Sequence, residues 1–75
     1  MARRPRLTAQ QWIAQVFSAQ AVGNGGIVRR KIASVNQYAS HQDLEDEVRR
    51  RHFHMVITGD QYVIMCNTGH WQVIC

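Results

Sequence analysis

The stretch from Cys66 to Cys75 holds the side chains best suited to metal or nucleophilic chemistry. Cys66, His70 and Cys75 offer two thiolates and an imidazole, which are ligands that Zn²⁺ prefers. A structural zinc site needs four ligands, so His52 or His54 would have to supply the fourth. The alternative is that both cysteines lie in the core, as free cysteines commonly do. We therefore expect no metal and no cofactor, with a zinc site on Cys66, His70 and Cys75 as the weaker alternative.

The same stretch resembles the second half of a zinc knuckle, a nucleic-acid-binding module with a Gly-His pair between cysteines. Gly69 and His70 supply that pair. A knuckle has four residues between its second cysteine and its histidine, whereas three stand between Cys66 and His70. Val63 occupies the position of the first cysteine. The resemblance therefore implies a ligand set that is incomplete.

His52 and His54 flank Phe53 directly after the three arginines 49–51. Two imidazoles beside guanidinium groups suit a phosphate-binding patch or a general acid–base pair. The alternative is that they are polar residues at a helix C-terminus, where positive charge is favourable. The sequence yields no Ser/His/Asp arrangement and no cluster of buried carboxylates. We expect no enzymatic activity and no catalytic residue.

The predicted elements after residue 40 resemble the core of small double-stranded-RNA-binding-like domains, which include messenger-RNA-cleaving toxins. Those toxins carry a Gly-Ser-His near the first strands, where this chain has Gly59-Asp60-Gln61. The resemblance carries no catalytic residue over. An RNase-like toxin using His52 and His54 is therefore the last of the alternative functions.

Positive charge is in excess throughout the sequence. Nine Lys+Arg stand against five Asp+Glu in 75 residues, a formal net charge of +4. Almost all of the basic residues are arginine, which favours bidentate contact with phosphate or carboxylate. A basic nucleic-acid-binding protein is therefore the second candidate function. The residues that would bind nucleic acid or another anion are Arg3, Arg4, Arg6, Arg29, Arg30 and Lys31.

The chain divides into a flexible basic arm over residues 1–6 and one small α+β domain over residues 7–75. Its apolar runs are far shorter than the ~20 residues needed to span a bilayer. No apolar region follows the basic arm, as a secretory signal would require. Two cysteines do not form a disulfide framework. We expect a cytoplasmic protein without membrane contact.

Three elements are predicted in the first two thirds of the domain. Thr8 with Gln11 three residues later is a capping box, which marks a helix start. β-branched residues without a helical stripe indicate a strand after the glycine loop. Ser40 is an N-cap for a helix whose buried seam is Leu44 and Val48. The predicted bounds are a helix over 7–22, a strand over 27–35 and a helix over 40–51.

The last third predicts a three-stranded antiparallel meander. Gly59-Asp60 and Thr68-Gly69 each suit a two-residue hairpin turn. With such turns Ile57 pairs with Tyr62 and Met55 pairs with Ile64, and most bulky apolar residues share one face. The predicted fold is α+β in the order α-β-α-β-β-β, with two amphipathic helices packed on an antiparallel sheet.

Several apolar residues remain on the second face of this meander. A chain of this size buries only about 60% of the surface that its unfolded form exposes, so its stability as a monomer should be marginal. Either the first helix or a partner is expected to cover that face. The leading candidate function is a non-enzymatic binding, adaptor or inhibitor-type module that contacts a protein partner or itself as a homodimer. The contact surface would be this face of the meander or, alternatively, the first helix with its Trp12. The predicted contact residues are Trp12, Val56, Val63, Met65 and Ile74.

Overall fold

The computed structural model describes residues 8–75 and confirms the α+β class. The predicted arm over residues 1–6, with Arg3, Arg4 and Arg6, lies outside the described residues. The predicted order α-β-α-β-β-β is confirmed except for its last strand. The first predicted helix contains two helices, and a further helix, which was not predicted, follows the first strand. The elements are α1 (Ala9–Val16), α2 (Gln20–Gly23), β1 (Ile27–Lys31), α3 (Ile32–Tyr38), α4 (His41–Arg50), β2 (His54–Thr58) and β3 (Gln61–Met65).

The first predicted helix begins as expected and ends early. Thr8 and Gln11 form the capping box, with the Gln11 N–H donating to Thr8 Oγ1 at 3.1 Å. The continuous helix over 7–22 is wrong, because the chain breaks between Val16 and Gln20. Ser18 Oγ donates to the Gln15 carbonyl at 2.7 Å, and a serine side chain that bonds nearby backbone in this way competes with the helix.

The strand predicted over 27–35 is also too long. Ile32 N–H donates to the Asp60 carbonyl at 2.8 Å, and α3 begins at that residue. Val35 is then fully buried and Ile32 packs against the core at the helical spacing of three. Of the β-branched residues that suggested the strand, Ile27 and Val28 lie in β1, whereas Ile32 and Val35 form the buried side of a helix.

The sheet has the strand order β1-β3-β2, and both pairings are antiparallel. The Gly59-Asp60 hairpin is confirmed: Gly59 has φ 57°, Ile57 pairs with Tyr62 and Met55 pairs with Ile64. The third strand predicted over 70–75 is wrong. β1 takes the place beside β3 that this strand was expected to fill, and residues 66–75 have no regular secondary structure.

All four helices lie on one face of the sheet. The buried residues of the strands occupy alternate positions and meet the buried residues of the helices in a single cluster. α4 packs through Leu44 and Val48 as predicted, and Ser40 caps it by accepting from Asp43 N–H. The core consists of Ile13, Val16, Phe17, Val28, Val35, Leu44, Val48, Tyr62, Ile64 and Cys66.

Candidate interaction surface

The face of the sheet opposite the helices is a mixed apolar and basic surface, here called the open face. Strand alternation places on it every second residue, starting from the Ile27–Met65 and His54–Met65 pairs. Its apolar side chains are half-buried or exposed. None of its nine strand positions holds an acidic residue, and none holds Phe, Tyr or Trp. The open face consists of Ile27, Arg29, Lys31, His54, Val56, Thr58, Gln61, Val63 and Met65.

Three of the predicted protein-contact residues meet at the centre of this face. Val56 and Val63 are direct cross-strand partners, and Met65 follows on the same strand. Ile27, which the sequence did not single out, pairs with Met65 and is 53% exposed. Alternation along β1 could have placed Ile27 on this face, but only if β1 and β3 had been known to be neighbours.

Trp12 and Ile74 do not belong to the open face. Ile74 was expected on it, and that placement is wrong because residues 70–75 form no strand. Trp12 is half-buried and stacks on Tyr38, with ring centroids 5.6 Å apart. It packs against the core from the helical side. Ile74 is exposed in the segment after β3.

The predicted basic cluster on β1 is divided between the two faces. Arg29 and Lys31 point to the open face and are exposed, with Arg29 paired to Val63. Arg30 pairs with Tyr62 on the helical side, and its Nη1 donates to the Arg29 carbonyl at 2.6 Å. Two of the three cations therefore act together at one margin of the open face.

The two histidines after α4 have different roles. His52 has φ 58°, and its N–H donates to the Arg49 carbonyl while Phe53 N–H donates to the Val48 carbonyl. These two bonds close the helix in a Schellman motif. His54 begins β2, and its Nε2–H donates to the Gly69 carbonyl.

A shallow groove of roughly 400 Å³ brings these histidines near a third one. Its lining contains three imidazoles and one guanidinium but no carboxylate. A general acid–base mechanism that needs a carboxylate to orient an imidazole therefore finds none in this lining. The groove is lined by Arg49, His52, Phe53, His54, Thr68, Gly69 and His70.

A chain of side-chain hydrogen bonds, in which the contact of His41 with Tyr62 was not predicted, connects α4 to the sheet. His41 Nδ1 lies 2.8 Å from the Tyr62 hydroxyl and His41 Nε2 lies 2.9 Å from Glu45 Oε1. Arg49 Nε–H donates to Glu45 Oε2 at 2.8 Å. Hydrogen bonds from Arg49 and then His41 lower the pKa of the Glu45 carboxyl. The i, i+4 spacing of His41, Glu45 and Arg49 was the available signal.

The structure does not bring Cys66, His70 and Cys75 together as metal ligands. Cys66 is buried in the core, while Cys75 is exposed, so the expectation that both cysteines are buried is right for only one. Burial raises the pKa of the Cys66 thiol, opposed in part by the positive charge of Arg51. Within residues 8–75, no three His, Cys, Asp or Glu side chains are placed to hold a metal ion.

Two further findings bear on this surface. In the part of the chain that the structure describes, no helix has the length and apolar character needed to cross a membrane. Comparison with known protein families, with curated proteins and with solved structures finds no match.

Proposed function

We propose that this protein is a non-enzymatic binding module whose open face docks a protein segment that is apolar at its centre and acidic at one margin. The observation that carries the proposal is the composition of that face. Val56, Val63 and Met65 form its centre, Arg29 and Lys31 lie at the β1 margin, and no acid occupies its strand positions.

The apolar centre supports a protein partner more than a nucleic acid. Sheets that bind single-stranded RNA stack its bases on several aromatic side chains. The strand positions of the open face hold one aromatic ring, His54, whose Nε2–H already donates to the Gly69 carbonyl. Val56, Val63 and Met65 would instead lie against aliphatic side chains of the partner. The predicted nucleic-acid role of Arg29 and Lys31 becomes electrostatic steering of an acidic polypeptide.

The remaining arginines of the described chain give less support to phosphate binding. Arg49 bonds Glu45, and Arg50 and Arg51 both bond Glu47, so α4 neutralises its own cations. Arg30 points to the helical side. Arg29 and Lys31 are therefore the cations that mark the open face for a negatively charged partner.

An NMR titration tests the proposal with a synthetic amphipathic helix that carries a leucine stripe flanked by glutamates. We expect saturable shifts of the Val56 and Val63 methyl groups, which weaken as salt rises. The same peptide with lysines replacing the glutamates should not bind. Val63→Thr should weaken binding severalfold, because it removes apolar area while keeping a β-branched shape.

The charge contribution is measured with the double variant Arg29→Gln, Lys31→Gln. We expect it to weaken binding about three- to tenfold, the size typical of two exposed cations. The matched control is Asn36→Asp, Gln37→Glu on exposed positions of α3, which changes the net charge equally but lies on the helical side. Equal loss in both variants, no saturable binding of the glutamate peptide, or tighter binding of a duplex RNA to this face would overturn the proposal.

A further inference from the structure

The two edges of the sheet are not equivalent. On β1 the side chains of Arg29 and Lys31 put charge beside the edge, which discourages the addition of another strand. The Arg30 guanidinium also donates a hydrogen bond to the Arg29 carbonyl, so this carbonyl is less available to another strand. The β1 edge is therefore protected against pairing.

The β2 edge has no such protection. Cys66 N–H donates to the Gly26 carbonyl, which fixes the hydrogen-bonding pattern between β3 and β1. Because the pattern alternates along an antiparallel strand, the backbone groups of Ile64 and Tyr62 point to β1. Those of the β3 residues between them point to β2. The backbone groups of Met55 and Ile57 consequently point outward from the sheet. Within residues 8–75, no strand pairs with them.

A groove of roughly 430 Å³ lies beside this edge, between α4 and the Trp71 side chain, and is lined by both apolar and polar residues. The polar residues of its lining are His41, Glu45, Arg49 and His54. Ile57, which faces the groove, is 56% exposed. The added strand would cover this apolar surface while it paired with the outward backbone groups. In a single chain Trp71, which belongs to the donated segment, closes one side of the groove, and a donated Trp71 would replace it. The other apolar lining residues are Val48, Phe53, Met55, Val56 and Ile57.

The segment over residues 70–75 has the sequence pattern of a strand that could pair with the β2 edge. Trp71, Val73 and Cys75 alternate with His70, Gln72 and Ile74, and the composition favours β structure. Val73 is 70% exposed and Ile74 is 90% exposed, yet the segment has no strand partner in the described chain. Residues 70–75 are long enough to pair along the five residues of β2.

We propose that residues 70–75 of one copy of this chain add as a fourth strand to the β2 edge of a second copy, and that the exchange is reciprocal. Trp71 and Val73 then face the groove, and Ile74 lies on the same side of the sheet as Val56. The sheet order in each half of the pair becomes β1-β3-β2 followed by the donated strand. The open face remains free for another partner, so the inference does not depend on the proposed function.

Strand direction favours the second copy over the chain's own β2. β3 ends beside His54, where β2 begins, and His54 holds Gly69 at that point. From there a segment of the same chain would have to run parallel to β2. A segment from a second copy can run antiparallel, as every other pair in this sheet does, and antiparallel pairing is slightly more stable.

Sedimentation equilibrium over a range of concentrations tests the exchange with a donor variant and an acceptor variant. The donor variant Gln72→Pro, Val73→Pro removes the N–H groups on both sides of the donated strand, so one of them is lost from the pairing. The acceptor variant Ile57→Pro removes an outward N–H without touching the β2–β3 pairing. Ile57→Lys is a second acceptor variant that keeps the N–H and blocks the edge by charge.

We expect the unmodified chain to dimerise and the donor and acceptor variants each to be monomeric. The control Gln72→Thr, Val73→Thr keeps both N–H groups and the tendency to form a strand, so it should still dimerise. An equimolar mixture of the donor and acceptor variants should form a heterodimer, because one intact edge and one intact segment remain. A strictly monomeric unmodified chain, a dimer that survives the prolines and the lysine, or a mixture that stays monomeric would overturn the proposal.

Discussion

His52 was predicted as a candidate for phosphate binding or acid–base chemistry, and in the structure its backbone ends a helix. It follows the last turn of α4 with φ 58°, a region that glycine enters freely and other L-residues enter with strain. Its N–H and that of Phe53 satisfy carbonyl groups at the end of the helix. The imidazole itself is exposed. The position of His52 is thus explained by the backbone hydrogen bonds that end α4, independently of any contact of its side chain.

We expect His52→Gly to raise the free energy of unfolding by about 1 kcal/mol, because glycine removes the strain of the left-handed conformation. The measurement is thermal or denaturant unfolding followed by circular dichroism. His52→Val is the opposing variant, since a branched side chain makes this conformation worse, and it should lower the free energy of unfolding. A glycine variant less stable than the unmodified chain would show that the imidazole makes a contact of its own.

At the scale of the element, α4 combines a short buried seam with a dense set of ion pairs. Glu47 accepts hydrogen bonds from both Arg50 and Arg51. The Arg51 guanidinium also lies 4.7 Å from the centre of the Phe17 ring, directly after α1. The pairs therefore stabilise the helix and connect it to its neighbour.

The pKa of Glu47 predicts how α4 responds to acid. The hydrogen bond from Arg50, and then that from Arg51, lower this pKa against the opposing effect of burial. A lowered pKa in the folded state means that the stabilisation is fully present above the ordinary glutamate pKa, about 4.3, and is lost as the pH falls further.

We expect Glu47→Gln to lower the free energy of unfolding by about 1 kcal/mol at neutral pH, as for a small network of partly exposed pairs. The difference from the unmodified chain should shrink to nothing in acid, as measured by denaturant titration at several pH values. Asp46→Asn is the control on the same helix, and it should change stability by less than about 0.5 kcal/mol. A difference that stays constant with pH would contradict the ion-pair explanation.

The elements that could be predicted from the sequence are those fixed by nearby residues. The Thr8 and Ser40 caps and the Gly59 turn depend on positions within three or four residues. The pairing of β1 with β3 joins Val28 to Ile64 across most of the chain, and nothing local specifies it. The same lack of local information limited the prediction of the open face. Val56 and Val63 were placed together correctly because they share a hairpin, whereas Ile27 was missed because it lies on β1.

At the scale of the whole molecule, one small core connects every element. Leu44, Val35 and Ile64 are its fully buried side chains, contributed by two helices and the central strand. Cys66 lies in the same cluster, although it follows β3 in a segment without regular structure. A core this limited is expected to open as a unit rather than in parts.

The Cys66 thiol can therefore report unfolding of the whole molecule. In a Cys75→Ser variant we expect Ellman's reagent to react slowly at neutral pH, since burial both shields the thiol and raises its pKa. Addition of denaturant should accelerate the reaction as circular dichroism is lost. The complementary Cys66→Ala variant leaves Cys75, which is exposed in the single chain and should react at once at concentrations too low for residues 70–75 to be exchanged. Equal rates for both thiols in the folded protein would place Cys66 outside the core.

The two tryptophans lie in different parts of the molecule. Trp12 stacks on Tyr38 within the helical layer, whereas Trp71 is half exposed beside His54 at the β2 edge. Their indole rings consequently experience different polarity and different quenching groups. The intrinsic fluorescence of the protein thus combines two separable optical signals, one from the packing of the helices and one from the occupancy of the sheet edge.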